Sequence, residues 1–193
     1  MIITPIDTSA YPNCIRPDLA NPEARSPGLH LTDIIRDMAT VAGIGKDSGF
    51  DEESLDWFAA GGWLWERVWD QAHAEAIDNG ELVSPGEFTL DGITGTPDRI
   101  DWSRPAIVEL KCRWKSSAKF DSLEKEFWAE LTQCKGYCWM TKIMEADLIP
   151  FFIAGNWRPP VPTVRAVNLK FTELELEETW DQILSHARWR GWL

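Results

Sequence analysis

The segment 106–113 has the alternating pattern of a half-buried β-strand. Its residues, AIVELKCR, place apolar side chains on one face and Glu109, Lys111 and Arg113 on the other. Trp102–Pro105 precedes it and predicts a turn, because Ser and Pro punctuate it between two apolar runs. The pattern therefore predicts a β-hairpin whose second strand carries an acid and a lysine side by side on one face.

The simplest antiparallel register of this hairpin pairs Asp101 with Ala106 and so places Asp98 opposite Glu109. Opposed residues have Cβ atoms about 4.5–5.5 Å apart, and like charges at that spacing repel each other. A divalent cation would relieve the repulsion, since Mg²⁺ takes oxygen ligands and often binds one or two carboxylates plus a phosphate. The alternative is an exposed strand face with a chance acid pair.

The rest of the hydrophobic pattern predicts helices and short strands around the hairpin. Residues 1–28 contain five prolines and few periodic apolar positions, which indicates an extended arm. The glycines Gly61 and Gly62 favour close approach of another backbone to the helix that contains them. The predicted helices are 29–38, 54–79, 121–142 and 171–189, and the predicted strands are 86–91, 92–101, 106–113, 147–154 and 164–169.

Two further motifs accompany the hairpin in a fixed order. Gly62-Trp63-Leu64-Trp65-Glu66 lies upstream in a helical pattern, and Gln133-Cys134-Lys135-Gly136-Tyr137 lies downstream. Together with Pro97-Asp98 and Glu109-Leu110-Lys111, they resemble the PD-(D/E)XK nuclease superfamily. The similarity is greatest to its RecB-like and phage exonuclease branch, which includes lambda exonuclease. Order and spacing match over about residues 55 to 155.

The resemblance implies a restriction-endonuclease-like α/β fold with a central mixed β-sheet flanked by α-helices. It also implies a Mg²⁺- or Mn²⁺-dependent DNA exonuclease that hydrolyses phosphodiester bonds at DNA ends in recombination, repair or replication. The implied metal ligands are Asp98, Glu109, the Leu110 carbonyl and Glu66. The implied catalytic residues are Glu66, Asp98, Glu109, Lys111, Gln133 and Tyr137.

Length and composition bound these expectations. A chain of 193 residues suits one domain over 1–193, with the arm at 1–28, a catalytic core at about 54–155 and a C-terminal strand and helix at 164–190. No apolar run of about 18 residues predicts a membrane span, and the N-terminus lacks the pattern of a secretory signal. We expect a cytoplasmic protein, in the host cytoplasm if a phage encodes it.

The net charge of −12 is unexpected for a DNA-binding protein, but basic residues concentrate around the hairpin. The stretch from residue 99 to 119 contains six lysines and arginines, and its only acids are Asp101 and Glu109. We expect this basic stretch to contact phosphates and Trp114 to stack on bases of a frayed end, with a solvated charged loop as the alternative. The expected DNA-binding residues are Arg99, Arg113, Trp114, Lys115, Ser116 and Lys119.

Four cysteines are present, Cys14, Cys112, Cys134 and Cys138. Some relatives in this branch bind an iron–sulfur cluster through one early and three late cysteines. Here Cys112 falls on the apolar face of its strand, and no late C-x₂-C follows Cys138. We therefore expect buried thiols rather than a cluster, and no disulfide in a cytoplasmic protein.

Three alternatives to an exonuclease remain open at the level of sequence. An endonuclease could use the same residues, and a non-catalytic module of this fold could bind DNA or protein. A helix-rich acidic interaction protein would explain the charge but not the ordered motifs. Beyond DNA, a recombination or annealing protein is the expected partner, and the sequence does not indicate an oligomeric state.

Overall fold

A six-stranded mixed β-sheet lies at the centre of the fold. The computed structural model describes residues 26–44, 52–115, 117, 123–153 and 162–193, and for residues 52–57, 123 and 125 it describes the backbone only. The predicted arm up to residue 25, Cys14, Ser116 and Lys119 lie outside the described residues.

Groups of helices and groups of strands follow one another along the chain. The helices are α1 (Leu31–Val41), α2 (Glu52–Ala72), α3 (Ala74–Asp78), α4 (Leu123–Glu126), α5 (Trp128–Thr141) and α6 (Glu173–Trp189). The strands are β1 (Leu29–His30), β2 (Leu82–Val83), β3 (Phe88–Leu90), β4 (Ile93–Gly95), β5 (Arg99–Asp101), β6 (Ala106–Arg113), β7 (Glu145–Phe152), β8 (Thr163–Val164) and β9 (Val167–Lys170).

The large sheet has the order β2-β5-β6-β7, with β8 and β9 both pairing with β7. The β6–β7 pair is parallel and the other pairs of this sheet are antiparallel. A second sheet of three strands has the order β1-β4-β3. The central mixed sheet flanked by helices confirms the predicted fold class. The predicted hairpin register is also confirmed, since Asp101 lies opposite Ala106.

Pro150 explains why the edge beside β7 is divided into β8 and β9. Arg165 donates its backbone N–H to the Pro150 carbonyl at 3.0 Å. The reciprocal bond is missing because proline has no N–H. The ladder therefore stops at this pair and resumes on each side in the same register, from Leu148 with Val167 to Phe151 with Val164.

The alternating side chains of β6 pack against different helices on the two faces of the sheet. Ile107 belongs to the core formed with α1, α5 and α6. Val108 and Leu110 belong to the core formed with Trp65 and Trp69 of α2. Each fully buried aliphatic side chain contributes about 1.5–3 kcal/mol. This packing fixes the rotation of β6, so that Glu109 faces the α5 side of the sheet.

Two predicted helices are interrupted in the structure. The predicted helix 54–79 divides at His73, whose ring stacks on Trp69 with centroids 3.9 Å apart and whose Nδ1 lies 2.8 Å from the Trp69 carbonyl oxygen. The predicted helix 121–142 divides at Phe127, which leaves helical geometry to bury its ring against Phe152. In both places a side-chain contact that periodicity does not encode overrides the helical pattern.

No helix in the described ranges is both long and apolar enough to cross a lipid bilayer.

Candidate active site

Glu109 lies at the centre of the candidate site and is fully buried. Its Oε1 accepts hydrogen bonds from the Lys111 ammonium and from Gln133 Nε2, the latter at 2.8 Å. Its Oε2 is buried without a hydrogen-bond partner among the described residues. An unsatisfied buried acceptor costs about 1–3 kcal/mol, and more when it is charged. The unpartnered Oε2 therefore marks a place where a hydrogen-bond donor or a cation would stabilise the carboxylate.

Asp98 enters the site immediately before β5. Its Oδ2 accepts the backbone N–H of Leu110 at 2.7 Å. This bond places the Asp98 carboxylate beside the Glu109-Leu110 peptide, in keeping with the register that sets Asp98 opposite Glu109. Pro97 is fully buried and fixes φ where the chain turns into the site.

Glu66 approaches from α2 and completes a group of three acids. Burial, and then the Asp98 carboxylate, raise the pKa of Glu66 from 4.5 to about 7, against the opposing charges of Arg99 and Lys111. Burial and then Asp98 likewise raise the pKa of Glu109 from 4.5 to about 8. Burial also raises the pKa of Asp98. Three acids with raised pKa values at one place indicate a functional site more than a structural one.

Lys111 is the cation that contacts Glu109. Burial alone would lower the pKa of its ammonium, but the Glu109 and Asp98 carboxylates outweigh burial and raise it. Lys111 therefore remains charged and suits electrostatic stabilisation better than the role of a general base. Lys111 and the Asp70-paired Arg99 are the two cations beside Glu66, Asp98 and Glu109, so the site has an excess of negative charge whenever the acids are ionised.

Gln133 and Tyr137 reach the site from α5, one helical turn apart. The Gln133 amide donates to Glu109 Oε1 at 2.8 Å and to the Tyr137 hydroxyl at 2.9 Å. Burial and then Glu109 raise the pKa of the Tyr137 hydroxyl, so the phenol stays neutral. The two residues named by the Gln-x-x-x-Tyr motif thus contact the central acid as one hydrogen-bonded chain.

Two glycines that the sequence analysis did not single out permit this arrangement. A Cβ on Gly95 of β4 would lie 2.9 Å from the Tyr137 ring and from Met140 Sδ. A Cβ on Gly136 of α5 would lie 2.7 Å from Leu31 of α1. Both glycines lie inside a helix or strand, where glycine normally lowers stability. That position was the sequence signal that another group packs closely against them.

Four of the described cations of the basic stretch are paired with acids from distant elements. Arg99 pairs with Asp70, Arg104 with Asp147 and Glu145, Arg113 with Glu130, and Lys115 with Glu126. Asp101 and Glu109 are the only acids within residues 99–119, but the sequence does not show which acids from elsewhere fold against these cations. The DNA contacts expected of Arg99, Arg113 and Lys115 stay predictions, and Ser116 and Lys119 lie outside the described residues.

Trp114 is 51% exposed and follows β6 directly. A Cβ on Gly61 would lie 3.0 Å from the Trp114 ring, whereas a Cβ on Gly62 would meet nothing within 4 Å. The predicted close approach to α2 is therefore made by a side chain at Gly61 and not by a backbone. Phe58 adds a second ring, with its centroid 5.9 Å from that of Trp114. The exposed indole consequently has a fixed position near the helix that carries Glu66.

The oxygen donors of the site suit a hard divalent cation. Within the described residues, no three His, Cys, Asp or Glu side chains converge closely enough to hold a metal ion by themselves. Mg²⁺ binds in many proteins through one or two carboxylates, with waters and substrate phosphate as the remaining ligands. Asp98 and Glu109, with its unpartnered Oε2, fit this pattern. The roles of Glu66 and of the Leu110 carbonyl as ligands stay predictions.

The described cysteines are free thiols. Cys134 and Cys138 are buried in α5, and Cys112 is partly buried on β6. Burial raises the pKa of Cys138 to about 12 and also raises the pKa values of Cys134 and Cys112. These thiols are therefore protonated at neutral pH.

A cleft of about 450 Å³ opens between α5, β9 and α6. It is lined by other residues of α5, including Trp128, Leu131 and Lys135, and none of the six candidate catalytic residues contributes to it. The candidate site is therefore distinct from this cleft and is defined by chemistry rather than by cavity size.

No protein-family model and no protein of curated function matches this sequence. Among solved structures, a phage-related exonuclease from Haemophilus somnus 129PT is similar, with 18% identity over 81% of this chain and 78% of that chain and a TM-score of 0.50. The chain has the fold of that exonuclease. The alkaline exonuclease LHK-Exo from Laribacter hongkongensis shares 11% identity over 83% of this chain and 86% of that chain, with a TM-score of 0.47. At 18% identity the likeness to the Haemophilus somnus protein shows the fold, and any activity must be argued from the site.

Proposed function

We propose that this protein is a Mg²⁺- or Mn²⁺-dependent DNA exonuclease that hydrolyses phosphodiester bonds at DNA ends. The observation that carries the proposal is the buried carboxylate of Glu109, with one oxygen held by Lys111 and Gln133 and the other unpartnered. Asp98 and Glu66 add negative charge at the same place. A fold gains nothing from such a cluster unless a cation or a reacting group joins it.

Asp98 and Glu109 would hold the metal ion, and Glu66 would bind it directly or through water. When bound, a divalent cation supplies a polarised phosphoryl oxygen and a water molecule of lowered pKa. The Leu110 N–H holds Asp98 in place through Oδ2. Lys111 and Gln133 both donate to Glu109 Oε1, which leaves Oε2 available. The site residues thus present one oriented acceptor oxygen instead of a freely rotating carboxylate.

Lys111 would stabilise negative charge that develops on the phosphoryl oxygens. The Lys111 side chain is 26% exposed, and its ammonium donates to the fully buried Glu109 carboxylate. A fixed charge of this kind contributes because it needs no reorganisation as the reaction proceeds. Tyr137 orients Gln133, and Gln133 in turn orients Glu109. No covalent intermediate is part of this proposal.

The proposed setting follows the resemblance of the motifs. We propose a single nuclease domain acting in the cytoplasm on DNA ends during recombination, repair or replication, with a recombination or annealing protein as partner. The exposed Trp114 beside α2 is the best-placed described side chain to stack on the bases of a frayed end.

The proposal is tested by digestion of end-labelled linear duplex, linear single-stranded and closed circular DNA in Mg²⁺, Mn²⁺ or EDTA. We expect loss of linear DNA with metal only. Lys111→Ala should reduce the rate about 10²- to 10³-fold, the usual loss for one electrostatic stabiliser. Lys170→Ala is the matched control, because Lys170 is 72% exposed and pairs with Glu145 outside the site.

Other outcomes would redirect the proposal. Cutting of closed circles would establish an endonuclease on the same residues. Absence of cleavage on every substrate, with DNA binding equal in the wild type and Lys111→Ala, would overturn catalysis in favour of a binding module.

A further inference from the structure

Arg99 and Asp70 form an ion pair that joins α2 to the strand carrying Asp98. Arg99 Nε donates to Asp70 Oδ1 at 3.0 Å, and Nη2 donates to Asp70 Oδ2. The remaining nitrogen, Nη1, donates to the main-chain carbonyl of Asp98. The Arg99 side chain is 13% exposed, so little of the guanidinium remains for a substrate. The fork geometry of such a pair restricts both partners in angle as well as distance.

Two acids of the site lie directly beside this ion pair. Glu66 is four residues before Asp70 on α2, and hence on the same helix face. Asp98 is the residue whose carbonyl Arg99 holds. The elements that supply Glu66 and Asp98 are therefore connected through one guanidinium, which fixes their relative position.

The charges of the pair have a second effect on the same acids. Arg99 lowers the pKa values of Glu66 and Asp98, while Asp70 raises both. The pair therefore adds a cation close to the acids without adding net charge. An unpaired arginine here would compete with a metal ion, and an unpaired aspartate would add to the repulsion.

The geometry points to Asp70 and Arg99 as positioning residues that set the Asp98 and Glu66 carboxylates for a divalent cation. This inference rests on the proposed function, and it assigns Arg99 to the protein scaffold rather than to a DNA phosphate. Residues that orient metal ligands typically change metal affinity or activity about 10- to 100-fold when they are replaced.

The first test measures Mn²⁺ affinity by calorimetry in Asp70→Asn, Arg99→Gln and the double variant. We expect each single variant to bind Mn²⁺ about 10- to 100-fold more weakly. The double variant should be no weaker than the worse single one, because both changes break the same interaction. Arg99→Lys should bind Mn²⁺ more tightly than Arg99→Gln but more weakly than the wild type. Lysine keeps the positive charge but cannot donate to both Asp70 oxygens as the guanidinium does.

Asp37→Asn is the matched control. Asp37 of α1 pairs with Arg190 beyond the end of α6, with Nε at 3.0 Å, and with His186. It is thus another aspartate–arginine pair between elements, but outside the site. We expect Asp37→Asn to leave the Mn²⁺ affinity unchanged even where it lowers the melting temperature.

A second readout needs neither metal nor DNA. The Leu110 N–H donates to Asp98 Oδ2, so its hydrogen exchange reports whether Asp98 is held in place. We expect Asp70→Asn to expose this amide to exchange in the metal-free protein, while amides elsewhere in β6 keep their protection. Asp37→Asn should not have this local effect.

Steady-state kinetics separate positioning from DNA contact. A positioning pair predicts a lower kcat with little change in the KM for DNA in Asp70→Asn. If Arg99 instead contacts phosphate, releasing it from Asp70 should strengthen DNA binding, which would overturn the inference. Unchanged Mn²⁺ affinity and unchanged Leu110 exchange would also overturn it. A wild type that cleaves no DNA would defeat the proposed function, yet the exchange readout would still decide the inference.

Discussion

Two groups of charged residues lie around the central strands, and they differ in balance and burial. The balanced cluster consists of Arg104 in the turn before β6, Glu145 and Asp147 at the start of β7, and Asn168 and Lys170 of β9. In it, Arg104 pairs with both acids, Lys170 with Glu145 at 2.9 Å, and the Asn168 amide with Asp147 at 2.8 Å. The acidic site, consisting of Glu66, Asp98, Glu109 and Lys111, has three acids and one lysine.

Glutamates on neighbouring strands illustrate what this difference means. A hydrogen bond from Lys170 lowers the pKa of Glu145, whose surroundings favour the charged form. Burial raises the pKa of Glu109 to about 8, since its surroundings oppose the charged form. Ion pairs at the surface favour the charged form of Glu145. Glu109 favours its neutral form even beside Lys111, so a further positive charge is needed to stabilise its charged form. Imbalance at a buried position thus separates a candidate functional site from ordinary surface ion pairs.

The largest expected effect is loss of DNA cleavage in Glu109→Gln. This change keeps the size of the side chain but removes a charged metal ligand, so we expect kcat to fall by more than the about 10- to 100-fold typical of residues that only orient a ligand. Glu145→Gln, in the balanced cluster, should stay within about twofold, as surface substitutions usually alter free energies by less than 0.5 kcal/mol. Equal losses in the two variants, measured on end-labelled duplex, would remove the distinction between the two clusters.

Metal affinity should depend steeply on pH. Protons compete with the cation at Glu66 and Glu109, whose pKa values are about 7 and 8. We therefore expect the affinity for Mn²⁺ to rise as pH increases from 6 to 8, by about tenfold per pH unit for each proton displaced, and to level off above 8. Calorimetry in buffers of different ionisation enthalpy measures the protons released. An affinity that is constant from pH 6 to 9 would contradict this account.

The stability of the metal-free protein should show the opposite trend. Because the pKa values of Glu66 and Glu109 are raised from 4.5 in the folded state, the folded protein holds more protons than the unfolded chain between pH 4.5 and 8. These acids therefore lower the free energy of unfolding as pH rises through that window.

Glu109→Gln removes one of these acids, so the free energy of unfolding should fall less as pH rises. We expect its melting temperature at pH 8.5 to be several degrees above that of the wild type. For a chain of this size, 1 kcal/mol corresponds to about 2–4 °C. Glu145→Gln should not raise it, because Glu145 is stabilised in its charged form. A fall in the melting temperature of Glu109→Gln would mean that the pairing with Lys111 outweighs the repulsion among the acids.

The smallest expected effect is that of Arg104→Gln in the balanced cluster. Arg104 is 47% exposed, and solvent screens its ion pairs. We expect a loss of no more than about 1 kcal/mol in the free energy of unfolding, measured in urea, and no change in metal affinity. A change in Mn²⁺ affinity in this variant would show that the two clusters are coupled.

The sequence predicted the elements whose patterns are local. The alternation in 106–113 gave the bounds of β6, and the turn at 102–105 gave the register with Asp101 opposite Ala106. The strand bounds follow from the alternation of buried and exposed side chains, and the register follows from the residues of the turn. The mixed sheet followed from the motif resemblance.

Contacts between distant segments were not predictable in the same way. Asp70 lies 29 residues before Arg99, and nothing local indicates that they pair. The only available hint was that Asp70 follows Glu66 by one helical turn. Likewise, Glu130 folds against Arg113 because α5 packs on the sheet. Sequence patterns therefore indicated which residues form the candidate site, whereas the structure shows which residues from distant segments contact the residues around it.

The most direct test of the central claim is the melting temperature of the wild type and of Glu109→Gln at pH 8.5, with and without Mn²⁺. If the buried acids are held for a cation, Mn²⁺ at about 100 times its dissociation constant should stabilise the wild type by about 2.7 kcal/mol, or several degrees. It should leave Glu109→Gln almost unchanged. No shift in the wild type, or an equal shift in both proteins, would contradict the account.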